Sequence, residues 1–184
     1  MALTKTPICD FGKKAEDFKL KSIDNEFISL DDIKGENGTL IMFICNHCPY
    51  VKAIIKDLVE DCKKLKADGV NSVAIMSNDT NNYPEDSFEN MIKFANAQGF
   101  GEMNYLFDET QEIAKKYGAV CTPDFFGYNQ KLELQYRGRF KELKDLKPTN
   151  DKESDLKVAM KMIGQTQKGP DEQIPSMGCN IKWK

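Results

Sequence analysis

Apolar and polar positions along the 184-residue chain change their period several times, and each change marks an element. Residues 16–30 alternate weakly through Phe18, Leu20, Ile23, Phe27, Ile28 and Leu30. Asp24-Asn25 interrupts the two runs, which predicts a short β-hairpin. Residues 29–35 read as one helical turn or a loop, and Asn37-Gly38 is a turn signal. Residues 39–44 (TLIMFI) are continuously apolar, which suits a strand covered on both faces. From Val51 the period lengthens. Val51, Ile54, Ile55, Leu58, Val59, Cys62 and Leu65 recur at three and four, a helix with one apolar stripe ending near Ala67 before Gly69.

Residues 70–76 (VNSVAIM) predict a second strand. A polar loop, 77–82, leads to Tyr83-Pro84-Glu85-Asp86. Phe88, Met91, Ile92, Phe94 and Ala95 face one side of a helix running to about Gln98. Residues 105–108 are a short strand, and 109–117 a helix closed by Gly118. Residues 124–128 and 132–136 read as strands joined by Asn129-Gln130-Lys131, so they pair antiparallel. Residues 150–153 resemble a capping box for a helix reaching Ile163, with Leu156, Ala159, Met160 and Ile163 on one face. The order is hairpin, β, α, β, α, β, α, β, β, α, tail. It predicts an α/β domain whose mixed central sheet of four or five strands is flanked by helices on both faces. Residues 1–184 form a single domain, with an N-terminal hairpin extension. The tail, 165–184, carries Cys179, Ile181 and Trp183 late, enough apolar content to dock on the domain.

Composition narrows the function. With 40% hydrophobic residues the chain is long enough to bury roughly 70% of its unfolded surface. It holds 26 basic and 29 acidic residues, a net charge of -3, and no basic tract longer than two, which argues against a nucleic-acid surface. Arg137 and Arg139 are its only arginines, so planar clamps for phosphate are scarce. No GxGxxG or GxxxxGK[ST] run supports a dinucleotide or P-loop site, and no cofactor is expected. No apolar stretch approaches 18 residues and the first residues hold no apolar run, so the expectation is a cytoplasmic protein away from membranes. Six cysteines are too sparse for a disulfide scaffold.

Two of those cysteines, Cys45 and Cys48, lie between a buried strand and a long amphipathic helix. A thiolate at a helix start is stabilised by the unpaired N–H groups and the helix dipole. Pro49 suits the first turn, where a missing N–H costs nothing. The expectation is that Cys45 is the more exposed thiolate, with a pKa below the ordinary value of about 8.5, and Cys48 the resolving thiol. His47, the only histidine, lies inside the loop, where positive charge would favour the Cys45 thiolate. A metal site needs four ligands; Cys45, His47 and Cys48 supply three, with Cys121 or Cys179 as a fourth, and no metal is expected. Cys121-Thr122-Pro123 precedes a strand, where a cis bond is plausible. Cys121 is a third thiol facing the pair or a buried small residue. Cys179 resolves a disulfide with Cys45 or Cys121, or packs with Ile181 and Trp183. Cys62 belongs to the core.

The run Phe43-Ile44-Cys45-Asn46-His47-Cys48-Pro49, with Thr122-Pro123 before a hairpin, resembles the thioredoxin-like superfamily. More closely, the chain resembles its redoxin branch, the alkyl hydroperoxide reductase and thiol-specific antioxidant (AhpC/TSA) group. Ser77-Asn78-Asp79, Tyr83-Pro84-Glu85-Asp86-Ser87, the stretch 117–126 and the tail 178–184 share in that likeness. The resemblance implies a thioredoxin-like fold and attack by Cys45 on a partner disulfide. It further implies resolution by Cys48, a cis proline at Pro123, and Thr122 backbone groups free for a bound peptide. The implied function is a thiol-disulfide oxidoreductase acting on protein or small-molecule disulfides, with a separate reductase or oxidase as partner. The alternatives are a thiol peroxidase with antioxidant activity and a metal-binding chaperone module.

Departures from the family pattern bear on the choice. Ile44 stands where thioredoxins carry tryptophan, and Thr39 where they carry a buried aspartate. In the peroxiredoxin loop Pro-x-x-x-Thr-x-x-Cys, this chain has Ile41, Cys45 and Cys48. The arginine that polarises peroxide is replaced by Thr122, which weakens the peroxidase reading on mechanistic grounds.

Overall fold

The computed structural model describes residues 3–184. Strand β1 (Leu3–Lys5) leads through irregular chain to the hairpin of β2 (Lys19–Ser22) and β3 (Phe27–Ser29). Asn25, at φ 64°, makes its turn, a conformation asparagine tolerates better than most residues. The next turn is helical. Ser29 caps α1 (Leu30–Ile33) in a capping box with Asp32.

The centre follows the hydrophobic periods closely. β4 (Gly38–Phe43) is buried at every position, as a strand covered on both faces must be. α2 (Pro49–Ala67) begins two residues before the apolar stripe, because Pro49 occupies its first position. β5 (Val70–Met76), a single 3₁₀ turn at Pro84–Asp86, α3 (Phe88–Gln98) and β6 (Asn104–Phe107) follow. α4 (Glu112–Tyr117) is shorter than expected. The Asp108 carboxylate accepts from the N–H groups of Ile113 and Ala114 and so starts the helix late.

β7 (Cys121–Thr122), the cis Thr122–Pro123 bond and β8 (Asp124–Tyr128) come next. β9 (Leu134–Tyr136) pairs antiparallel with β8. A small hairpin, β10 (Leu143–Lys144) and β11 (Lys147–Pro148), precedes α5 (Asp155–Thr166). The cap of α5 is Ser154, whose side chain accepts from Lys157 N, rather than the 150–153 box. β12 (Met177–Asn180) ends the described order.

Seven strands, not four or five, form the main sheet, in the order β3-β2-β6-β5-β4-β8-β9. The hairpin β2–β3 joins it through β6. The parallel core β4-β5-β6 is as the βαβ pattern requires. Side chains alternate across it. Leu40 and Met42 pack with the stripes of α2, α3 and α5, while Ile41 and Phe43 pack with α1 and α4. The chain is therefore an α/β fold of the thioredoxin-like kind, helices on both faces. A second sheet, β1-β12-β7, ties the two ends of the described chain together. It docks the tail, with Ile181 buried and Trp183 43% exposed. Among the described residues no helix is long and apolar enough to cross a membrane.

Candidate active site

Parallel β4 ends at Phe43, and the chain turns through Cys45-Asn46-His47 into α2. Cys48 is the N-cap residue of that helix, so it sits at the positive end of the helix dipole. Cys45 is 1% exposed, Cys48 0% and Cys179 3%. The expectation of an exposed Cys45 is therefore corrected. Both thiols of the pair lie under β7 and β12. Thr122 touches the two of them: its Oγ1 is 3.3 Å from Cys45 Sγ, and its carbonyl oxygen 3.1 Å from Cys48 Sγ. Cys179 Sγ lies 3.0 Å from Cys48 Sγ. All six cysteines are free thiols.

The surroundings of the two thiols favour Cys48 over Cys45 as the thiolate. The Cys45 thiol, acting as a hydrogen-bond donor, is the largest cause lowering Cys48, to about 5. Burial opposes this, the Cys179 thiol adds to it, and the Val51 N–H contributes too loosely to count as a capping bond. Cys45 is pushed well above its ordinary value by the same hydrogen bond to Cys48, then by burial and by the nearby Asp86 carboxylate. A thiolate beside a carboxylate is costly, and one at a helix N-terminus is favoured. The helix start thus favours a thiolate at Cys48, and the Asp86 carboxylate disfavours one at Cys45. The one contact that opposes a Cys48 thiolate is the Thr122 carbonyl.

His47 is bound to Asp86, with a ring nitrogen within 4.8 Å of Cys45 Sγ. Its Nδ1 is 2.7 Å from Asp86 Oδ2, and its ring stacks on Tyr83 at 5.7 Å between centroids. That hydrogen bond to Asp86 raises the His47 pKa against the opposing effect of burial. Asp86 also accepts from the backbone N–H groups of Asn46 and His47 and from Asn78 Nδ2, and so holds the dithiol loop from one side. Tyr105 donates to Asn46 Oδ1 at 2.9 Å from beneath. In the polar loop 77–82, Ser77, Asn78 and Asp79 are buried, while Asn81 and Asn82 are exposed.

Asp86, Asn78 and Tyr105 were not singled out as site residues from the sequence. The quoted run Tyr83-Pro84-Glu85-Asp86-Ser87 was the available signal, but nothing in it points across 39 positions to His47. Cys121 is fully buried, raised by desolvation, and its sulfur lies 3.6 Å from the Pro123 carbonyl rather than against the dithiol. Cys62 lies on the buried face of α2 and packs in the core. Cys45 Sγ, a His47 ring nitrogen and an Asp86 oxygen lie within 4.8 Å of one another, the one candidate metal-ligand group among the described residues. They offer three ligands where a closed site takes four.

Neither arginine reaches the thiols through a hydrogen bond. Arg137 Nη2 is 3.0 Å from Asp124 Oδ2 and donates to the Gly118 carbonyl, and Arg139 Nε is 2.6 Å from Asp155. The backbone edge of Thr122, implied to be open to a peptide, is taken by β12, with Cys179 opposite Thr122.

Comparison with known proteins places this site in context. Across its whole length the chain is 41% identical to an uncharacterized conserved protein from Geobacillus kaustophilus, covering 97% of it at a TM-score of 0.90. It is 35% identical to a hypothetical protein from Sinorhizobium meliloti, over 98% of each chain, also at 0.90. The thioredoxin domain of a thiol-disulfide oxidoreductase from Bacteroides vulgatus shares the fold: TM-score 0.58, 15% identity, 69% of this chain and 86% of that one. No curated protein matches. The AhpC/TSA family model matches residues 11–140, which span the Cys45–Cys48 loop, Asp86 and Pro123; the chain belongs to the AhpC/TSA family within the thioredoxin-like superfamily.

Proposed function

We propose that the protein is a thiol-disulfide oxidoreductase working through its Cys-Asn-His-Cys dithiol, with Cys48 as the attacking thiolate and Cys45 as its partner. One observation carries the reading. Cys48 is the N-cap residue of α2, at the positive end of the helix dipole, and the hydrogen bond it shares with the Cys45 thiol lowers its pKa to about 5. Such a thiol is ionised at neutral pH, and a thiolate is the species that attacks a disulfide.

The steps balance without a further reactant. Cys48 Sγ attacks one sulfur of the substrate disulfide, that S–S bond breaks, and the first substrate thiol leaves. Cys45 then loses its proton, attacks Cys48 Sγ in the mixed disulfide, and releases the second thiol, which takes the proton. The substrate gains two electrons, and Cys45–Cys48 becomes a disulfide. Cys45 becomes more acidic at the second step, because the hydrogen bond to Cys48 that raised it is gone once Cys48 carries a substituent. Burial of both sulfurs favours small disulfides, or protein disulfides admitted by a shift of β12.

Turnover of a small disulfide by the reduced protein, coupled to an excess of dithiothreitol, tests the reading. Cys48→Ser should fall to the uncatalysed rate; unchanged turnover in that variant contradicts the proposal. Peroxide reduction at Cys48 is the second reading, favoured by the family match. It lacks a free arginine, since both are held by aspartates. Consumption of one equivalent of peroxide faster than disulfide exchange would select it.

A further inference from the structure

Cys48 has two thiol neighbours, and the exchange chemistry proposed above uses only one. Cys179 lies on β12, 131 residues away in sequence, with its Sγ 3.0 Å from Cys48 Sγ and no exposure beyond 3%. Its position is built rather than incidental. β12 pairs with β7 in a register that sets Cys179 opposite Thr122, the residue touching both Cys45 and Cys48. Gly178 lets the strands approach so closely: a Cβ there would meet the Thr122 carbonyl oxygen at 2.1 Å. On its other edge β12 is held by β1, with Leu3 opposite Cys179.

The three thiols are not a metal-type cluster, since they do not all lie within 4.8 Å of one another. Cys48 touches both neighbours, so Cys45 and Cys179 are the separated pair and Cys48 is the middle sulfur. Displacement at sulfur needs the attacking and leaving sulfurs in line through the one attacked, and Cys48, neighbour to both, is the sulfur over which Cys45 and Cys179 can compete.

We infer that Cys179 is a second resolving thiol for Cys48, and that the oxidised protein shifts its disulfide from Cys45–Cys48 to Cys48–Cys179. The inference rests on the exchange reading above. The step is electron-neutral. Cys179 loses its proton and attacks Cys48 Sγ, the Cys48–Cys179 bond forms, the Cys45–Cys48 bond breaks, and Cys45 leaves as a thiolate that takes up the proton. The oxidant that made the first disulfide is the substrate disulfide itself. In the reduced protein Cys179 is pushed up to about 12 by burial, by its hydrogen bond to Cys48 and by the charge on Cys48. Two of those causes vanish when Cys48 is in a disulfide, so Cys179 becomes a better nucleophile only when it is needed.

Trypsin separates the possible products. It leaves Cys45 and Cys48 together in the fragment 35–52 and puts Cys179 in the fragment 169–182. Glutathione disulfide serves as the oxidant. Full-length wild-type protein, oxidised and digested without reductant, should yield both a looped 35–52 fragment and 35–52 bridged to 169–182. Cys45→Ser should form the bridged product and release glutathione from Cys48. Cys45→Ser/Cys179→Ser should keep glutathione on Cys48 at least ten times longer than Cys45→Ser. The inference is overturned if wild type gives only the looped fragment, or if the single variant holds glutathione as long as the double. Either result leaves the exchange reading standing provided wild type still turns over. Loss of wild-type turnover with the bridge still formed would sink the exchange reading alone.

Discussion

Cys45 and Cys48 stand three residues apart and meet opposite surroundings. Cys48 has a helix start and two thiol neighbours; Cys45 has a carboxylate, whose effect a threonine hydroxyl partly offsets. Asp86 adds to this difference after the hydrogen bond within the pair and burial. It faces Cys45 as a charge, binds His47 as a partner and pins the loop through two backbone N–H groups. Asp86→Asn should therefore bring the His47 pKa down toward the ordinary value of about 6.5. As the only histidine, His47 gives a single ring signal whose titration by NMR checks this directly. The sign for stability follows. The folded pKa of His47 is raised, so the stabilisation it contributes is full below about 6.5 and lost as pH rises through the folded value. Asp86→Asn should cost more stability near pH 5 than near pH 8. An unmoved His47 titration would contradict the assignment.

At the scale of elements, β12 matters most. It closes over the dithiol, fills the edge of β7 and presents Cys179. Gly178→Ala should force β12 off β7, because the added Cβ has nowhere to go but against backbone. The reduced variant, still folded by circular dichroism, should then expose Cys48 and react with a thiol reagent about tenfold faster or more at neutral pH. Wild-type reactivity in that variant would show that β12 does not control access. This strand was the element least legible in the sequence. Long periodic segments such as α2, α3, β4 and β5 declare themselves, since each repeats its apolar signal several times. β1, β7 and β12 are two to four residues long and carry no period, so their pairing comes only from the fold. The same limit applies to the site. Cys45, Cys48, His47, Thr122 and Pro123 were readable from a local motif. Which thiol is acidic was not, because the answer depends on Asp86 and Cys179, which are distant in sequence.

At the scale of the whole molecule, a buried ion pair anchors the corner that carries Thr122 and Pro123. Arg137, just after β9, makes two hydrogen bonds to Asp124 at the start of β8, reaches the Gly118 carbonyl behind α4, and lies 4.5 Å from the Phe126 ring centre. Burial is the largest influence on Asp124, raising its pKa against the pull of Arg137. Removing one member of such a pair strands the other charge in a poor solvent. Asp124→Ala should lower stability by about 3–5 kcal/mol, read from the denaturant midpoint. A loss under about 1 kcal/mol would mean that the pair contributes little. The same commitment of Arg137 to structure removes the cation that a peroxidase would want beside its sulfur.

The account turns on Cys48 being the thiolate, and ultraviolet titration of thiolate in the reduced protein measures that most directly. Wild type should show a thiolate forming with a midpoint near 5. Cys48→Ser should abolish that transition, and Cys45→Ser, whose hydroxyl still donates, should retain a Cys48 transition below the ordinary value of about 8.5. A low midpoint that survives in Cys48→Ser and disappears in Cys45→Ser, or no transition below about 8, would contradict the account.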